Sequence, residues 1–199
     1  MDYNQALRYT SESEWIKLTI EQKQDVLQTI ENKIAAEDGR AAGHVLFENM
    51  PNGYYGYYDL EDPDHLHLAY ASIQNAHDAL NTLCHEERHA YQRHCIVNNA
   101  GVPEPIREQF KTGFDEYVAP EKNYMSYCRN FNERDANSFA EQQCNLMEIE
   151  RNALLEQDEK NNEEADMIES EATEQIQQPN NHDSDIKRLY LDYWVDDPC

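Results

Sequence analysis

His85-Glu86-Glu87-Arg88-His89 sets two imidazoles four residues apart, with a carboxylate directly after the first. On a helix turning 100° per residue the two histidines stand about 40° apart on one face, separated by one turn, where both can bind one metal ion. Glu86 falls about 60° from His89, beside that ion rather than on it. A carboxylate there can take a proton from a zinc-bound water and pass it to a leaving amine, which is the chemistry of peptide-bond hydrolysis. Glu87 points elsewhere and has no part in this.

Catalytic zinc needs a third protein ligand and one open position. An extended HExxHxxGxxH pattern would put that ligand at Cys95, but residue 92 is Gln rather than Gly. Nothing then breaks the helix, and Cys95 lies about 240° from His89. Cys84 and His94 fail on similar geometry. The preferred ligand is Glu133 in NERDANSFA, where Ala136 and Ala140 at i, i+4 let this later helix approach the HExxH helix closely. Asp135, about 200° around from Glu133, is the alternative; it faces away, toward a residue behind the ligands. For the oxyanion of a tetrahedral intermediate, Tyr127 is the candidate donor, with Tyr124 beside it. Tyr91 is turned toward the core. His65 and His67 have a spacing on a strand that can bind metal, yet read as rim or surface residues.

TLCHEERHAYQ followed by NERDANSFAE resembles the glutamate-zincin (gluzincin) metallopeptidases. The second segment is similar to the ExxAN-x-FA helix of the ImmA/IrrE peptidases, and HEERHAYQ resembles the HExxH peptidase domains of bacterial polymorphic toxins and effectors. The likeness covers roughly residues 44–145 and departs from ImmA/IrrE after Ala140, where EQQC replaces an apolar run. It implies one Zn²⁺ per chain held by His85, His89 and Glu133, with Glu86 as the base. It also implies that the strand at His65–Ile73 forms the upper rim of the cleft. The activity implied is that of a zinc endopeptidase acting on a protein substrate, with an inhibitor or immunity protein as a further partner if it works as a toxin.

These residues need positioning elements. Trp15, Leu18, Ile20, Val26, Leu27, Ile30 and Ile34 recur at helical spacing, so one helix is expected over Glu14–Ala36, capped by Ser11 or Ser13 and ended by Gly39. HVLFEN (His44–Asn49) reads as a strand, Tyr54–Leu60 as extended, and HLHLAYASI (His65–Ile73) as an alternating strand. Ala76–Ile96 after Asn75 is a helix, Ile106–Tyr127 is irregular, and Glu133–Leu155 is helical with an apolar stripe of Ala136, Phe139, Ala140, Leu146 and Met147. The fold expected is α+β and zincin-like: mainly helical, with a small sheet whose last strand precedes the HExxH helix.

The chain has 199 residues and a net charge of -24, and its last 55 residues carry 16 acidic against 4 basic side chains. This shift divides a body, 1–150, from an acidic extension, 151–199. Residues 156–182 read as a solvated helix or linker, and Leu189–Val195 as an aromatic end apolar enough to dock. Such acidity excludes direct binding to nucleic acid or to an anionic membrane surface. No apolar run spans a bilayer and the N-terminus is no Sec-type signal. Five cysteines without a CxxC pattern suit reduced thiols. The expected location is therefore cytoplasmic, or a target cell reached by a non-Sec route. The alternative to a peptidase is a non-enzymatic acidic decoy, a DNA mimic whose zinc site is vestigial or structural.

Overall fold

The computed structural model describes residues 1–177, with side chains through residue 168. It is mostly helical, with a small three-stranded mixed sheet, an α+β fold. The chain divides into two units, Met1–Leu155 and Glu156–Cys199. The first holds every element that positions the site. The docking segment Leu189–Val195 lies outside the described residues. No helix is long and apolar enough to cross a membrane among the described residues.

Helix α1 (Tyr3–Tyr9) starts at Asp2, whose carboxylate accepts from the Gln5 amide at 2.8 Å. The single helix expected from Glu14 onward is two. The short α2 (Glu12–Trp15) ends where Trp15 turns inward, fully buried, and donates its indole N–H to the Ile73 carbonyl at 3.1 Å. Helix α3 (Ile20–Asp38) begins afresh at Thr19, which forms a capping box with Gln22 and closes at Gly39. A cap of this kind contributes about 1 kcal/mol, enough to fix where the helix restarts.

Strand β1 (His44–Glu48) pairs in parallel with β3 (His65–Ala69), and the short β2 (Gly56–Tyr57) pairs antiparallel with β3, giving the order β1-β3-β2. Only two residues of the aromatic Tyr54–Leu60 stretch are strand. Glutamines on α3 cover the outer edge of β1: Gln28 accepts from Val45 N and donates to Gly43 O, and Gln24 donates to Val45 O. The backbone of that edge is thereby satisfied.

A 3₁₀ turn (Ser72–Gln74) leads to α4 (Ala76–Asn98), capped by Asn75 and ended by Asn99 in the left-handed region. Leu80, Leu83 and Cys84 press one face of α4 into a core with Leu27, Ile30, Leu66, Leu68 and Ile73. Each fully buried aliphatic side chain there contributes about 1.5–3 kcal/mol. The expectation of irregular chain from Ile106 to Tyr127 is overturned by α5 (Glu104–Asp115) and α6 (Pro120–Arg129). Pro105 and Pro120 mark helix starts, because an amide N–H is not needed in the first turn. Helix α7 (Phe131–Gln177) buries Ala136, Ala140, Cys144 and Met147, whereas Leu146 is exposed and does not belong to the stripe.

Candidate metal centre

Two helices deliver the three candidate ligands. The core face of α4 orients His85 and His89 to its opposite side, and Glu133 comes from the first turn of α7. That turn is fastened to α5 by two asparagines. Asn130 donates to Gly113 O at 2.8 Å and accepts from the Asn132 amide, while the Asn132 side chain donates to Phe110 O at 2.9 Å. A methyl group on Gly113 would lie 2.4 Å from the Asn132 side chain, so α5 and α7 can meet this closely only at a glycine.

His85 Nε2 and His89 Nε2 are 3.2 Å apart, and the Glu133 carboxylate oxygens lie 3.3 Å from the first and 3.4 Å from the second. A tetrahedral ion with bonds of 2.0–2.1 Å needs donor atoms separated by about 3.3 Å. The buried Glu133 Oε2 makes no hydrogen bond of good geometry. Donor spacing and this orphaned oxygen both fit a metal ion, and among the described residues His85, His89 and Glu133 are the group able to hold one.

Gln92, which the sequence marks only by the absence of a glycine, lies behind His89. Gln92, fully buried, donates its amide to the Asn132 carbonyl at 3.0 Å and to Asp135 at 2.8 Å, both pure acceptors. Its carbonyl oxygen must therefore face His89 Nδ1, 2.9 Å away, which carries the proton. The Nε2 lone pair is left for the metal. Asp135 is no ligand, as its angle implied. It accepts from Arg88 at 2.8 and 3.2 Å, and Arg88 lies over the rings of Tyr91 and Phe139. A glutamine three residues beyond a liganding histidine, on the same helix, was the available signal.

Glu86 is 6 % exposed and has no hydrogen-bond or ion-pair partner among the described residues. Burial raises its carboxyl above the ordinary value, with His85 and His89 pulling it partly back. Burial works against the charges of Glu133 and His89 too. His85 and His89 nevertheless hold the Glu133 carboxyl well below the usual range, and Glu133 pushes His89 up to about 9. Tyr127 sits beside Glu133, its phenol raised by burial and by the Glu133 charge. Tyr117, unremarked in the sequence, is pushed up to about 12 by burial, Glu133 and Glu86. Both phenols keep their protons at neutral pH and can donate. Tyr124 is exposed.

A cleft passes the centre in two lobes, of about 310 and 460 Å³. Gly56, Tyr57, His85, Glu86, Tyr117 and Tyr127 line both. The rim expected at His65–Ile73 is instead β2, since β3 is the central strand and lines neither lobe. A Cβ at Gly56 would meet Thr82 Cγ2 at 2.6 Å and Glu86 Cγ at 3.1 Å, so β2 lies directly on α4. His65 and His67 do not join the metal group. His65 contacts Asp62 at 2.8 Å, and His67 binds Glu48 and stacks beneath Tyr57 at 4.3 Å. No family model, curated protein or solved structure matches this chain.

Proposed function

We propose that this protein is a zinc-dependent endopeptidase. The observation that carries the reading is Glu86: a buried carboxylate without a partner among the described residues, beside three converging ligands and lining both lobes of the cleft. Two imidazoles and one carboxylate at tetrahedral spacing favour zinc and leave the fourth position free. When bound, the ion supplies Lewis acidity that activates water and polarises the scissile carbonyl.

The chain's own residues do the rest. His85, His89 and Glu133 hold the ion, and Gln92 fixes the His89 tautomer. Glu86 accepts a proton from the attacking water and returns it to the departing amine, a task helped by a carboxyl already raised above its ordinary value. Tyr127 and Tyr117 offer neutral phenols toward the carbonyl oxygen as it gains charge. Two lobes that share Glu86 suit a peptide that continues past the cut in both directions, hence an endopeptidase.

The gluzincin resemblance and a zincin-like fold belong to this proposal, as does work as a toxin or effector on a target protein, in the cytoplasm or delivered by a non-Sec route. The net charge of -24 favours a second reading, an acidic decoy. A decoy has no use for an unpaired carboxylate beside a three-ligand open site. Glu86→Gln separates the two: retained zinc and fold with cleavage of an unfolded protein abolished supports the peptidase. Undiminished cleavage removes Glu86 from the mechanism, and a wild type that carries no zinc makes the decoy the leading account.

A further inference from the structure

The two lobes differ in what their carboxylates are doing. In the smaller, Asp78 is committed to the start of α4, where it accepts from Asn75 Nδ2 at 2.7 Å. In the larger, Asp59 and Glu61 have no cationic partner among the described residues. One Asp59 oxygen accepts from the Glu61 amide at 2.8 Å, which shapes the loop. The rings of Tyr58, Phe114 and Tyr117 line the same lobe as these carboxylates and the metal ligands. No Lys or Arg lines either lobe.

A lobe lined by aromatic rings and by carboxylates without a cationic partner suits a long side chain with an apolar stem and a cationic head. We infer that the larger lobe receives a lysine or arginine of the substrate next to the bond to be cut, and that Asp59 and Glu61 select it. The inference rests on the peptidase reading and names its substrate class: protein segments with basic residues. The negative charge of the whole chain adds long-range attraction for such segments. The two carboxylates act at an exposed mouth, so each pair is weak; together with the aromatic contact they should give about tenfold selectivity.

The test measures binding apart from cleavage. Short fluorescein-labelled peptides of Gly, Ala and Ser, with one central Arg, Lys, Leu or Glu, are titrated by anisotropy into the full-length, zinc-loaded Glu86→Gln protein. Arg and Lys peptides should bind about tenfold more tightly than Leu, with Glu weakest, and the gap should narrow with salt. It should collapse when Asp59→Asn and Glu61→Gln are added. Reversal with Asp59→Lys and Glu61→Lys should favour the Glu peptide, a gain that misfolding cannot produce. Equal binding of Leu and Arg peptides, or a preference that survives neutralisation, overturns the inference. A wild type that prefers Arg peptides yet cuts none of them overturns the peptidase reading and leaves the selectivity of the lobe standing.

Discussion

Glu86 and Glu87 are neighbours on α4, both buried, and their surroundings are opposite. Glu87 faces a closed polar cluster. Arg40 donates to it at 2.8 Å and to both oxygens of Glu31 at 2.8 and 3.0 Å. Burial, with Asp38 close by, pushes the Glu87 carboxyl up against the pull of Arg40. Glu86 faces the cleft with no guanidinium to neutralise it. Burial of a carboxylate is costly on either side. On both faces the cost remains as a raised proton affinity; on the back Arg40 ties the carboxyl into a closed cluster, and on the front the carboxyl faces the cleft. One side holds the helix, and the other is the side on which the proposed mechanism places proton transfer.

The sharpest way to break this comparison is to exchange roles. Glu86→Gln should lower cleavage of an unfolded protein substrate by about 10²–10⁴-fold while leaving zinc content and thermal unfolding unchanged. If unfolding shifts as much as activity, the front carboxylate is structural as well. Arg40→Met should do the reverse. Stranding Glu31 and Glu87 without their cation should cost about 3–5 kcal/mol in urea unfolding. A loss below 1 kcal/mol would mean that the two acids simply take up protons and the pairing matters little.

Smaller effects should follow from the support behind the ligands. Gln92→Leu removes the acceptor for His89 Nδ1 and should weaken zinc about 10–100-fold in a chelator competition, with the helix content retained. Acidity gives the mildest test. The Glu133 carboxyl is held low, so its contribution to metal-free stability is present above its unfolded value near 4.5 and lost in acid. His89 is raised to about 9, so its contribution is complete below its unfolded value near 6.5 and lost as pH rises through about 9. The pair therefore supports the metal-free fold best between those two unfolded values. Zinc must displace the His89 proton, and its affinity should climb by up to about tenfold per pH unit from 6.5 to 9. A flat profile would show that His89 is already neutral.

What the sequence made legible is what local spacing controls. HEERH fixes the relation of His85, Glu86 and His89 by helix geometry alone, and the small residues Ala136 and Ala140 marked the helix that carries Glu133. The helix start at Asn75 and the strands at His44 and His65 were equally local signals. The cleft was not legible, because its walls come from distant segments. Tyr117 reaches the centre only because α5 and α6 replace the irregular chain expected there. The rim fell to β2, two residues long, because β3 is taken up by neighbours on both edges. Trp15 ended a helix whose periodicity ran straight through it, since the indole had a buried partner 58 residues away.

Gly56 carries one more consequence. The width of the cleft at Glu86 is set by a hydrogen atom where every other residue has carbon, so the rim and the Glu86 carboxylate share one dimension. Tyr54, Tyr55, Asp59 and Glu61 line the lobes as well, and none of them is a residue whose side chain is barred by contact with α4. Diversification of this scaffold, by evolution or in a library, has free coordinates along the groove and a fixed one at position 56. There, if the protein is the peptidase proposed, a single methyl group would change recognition and catalysis together.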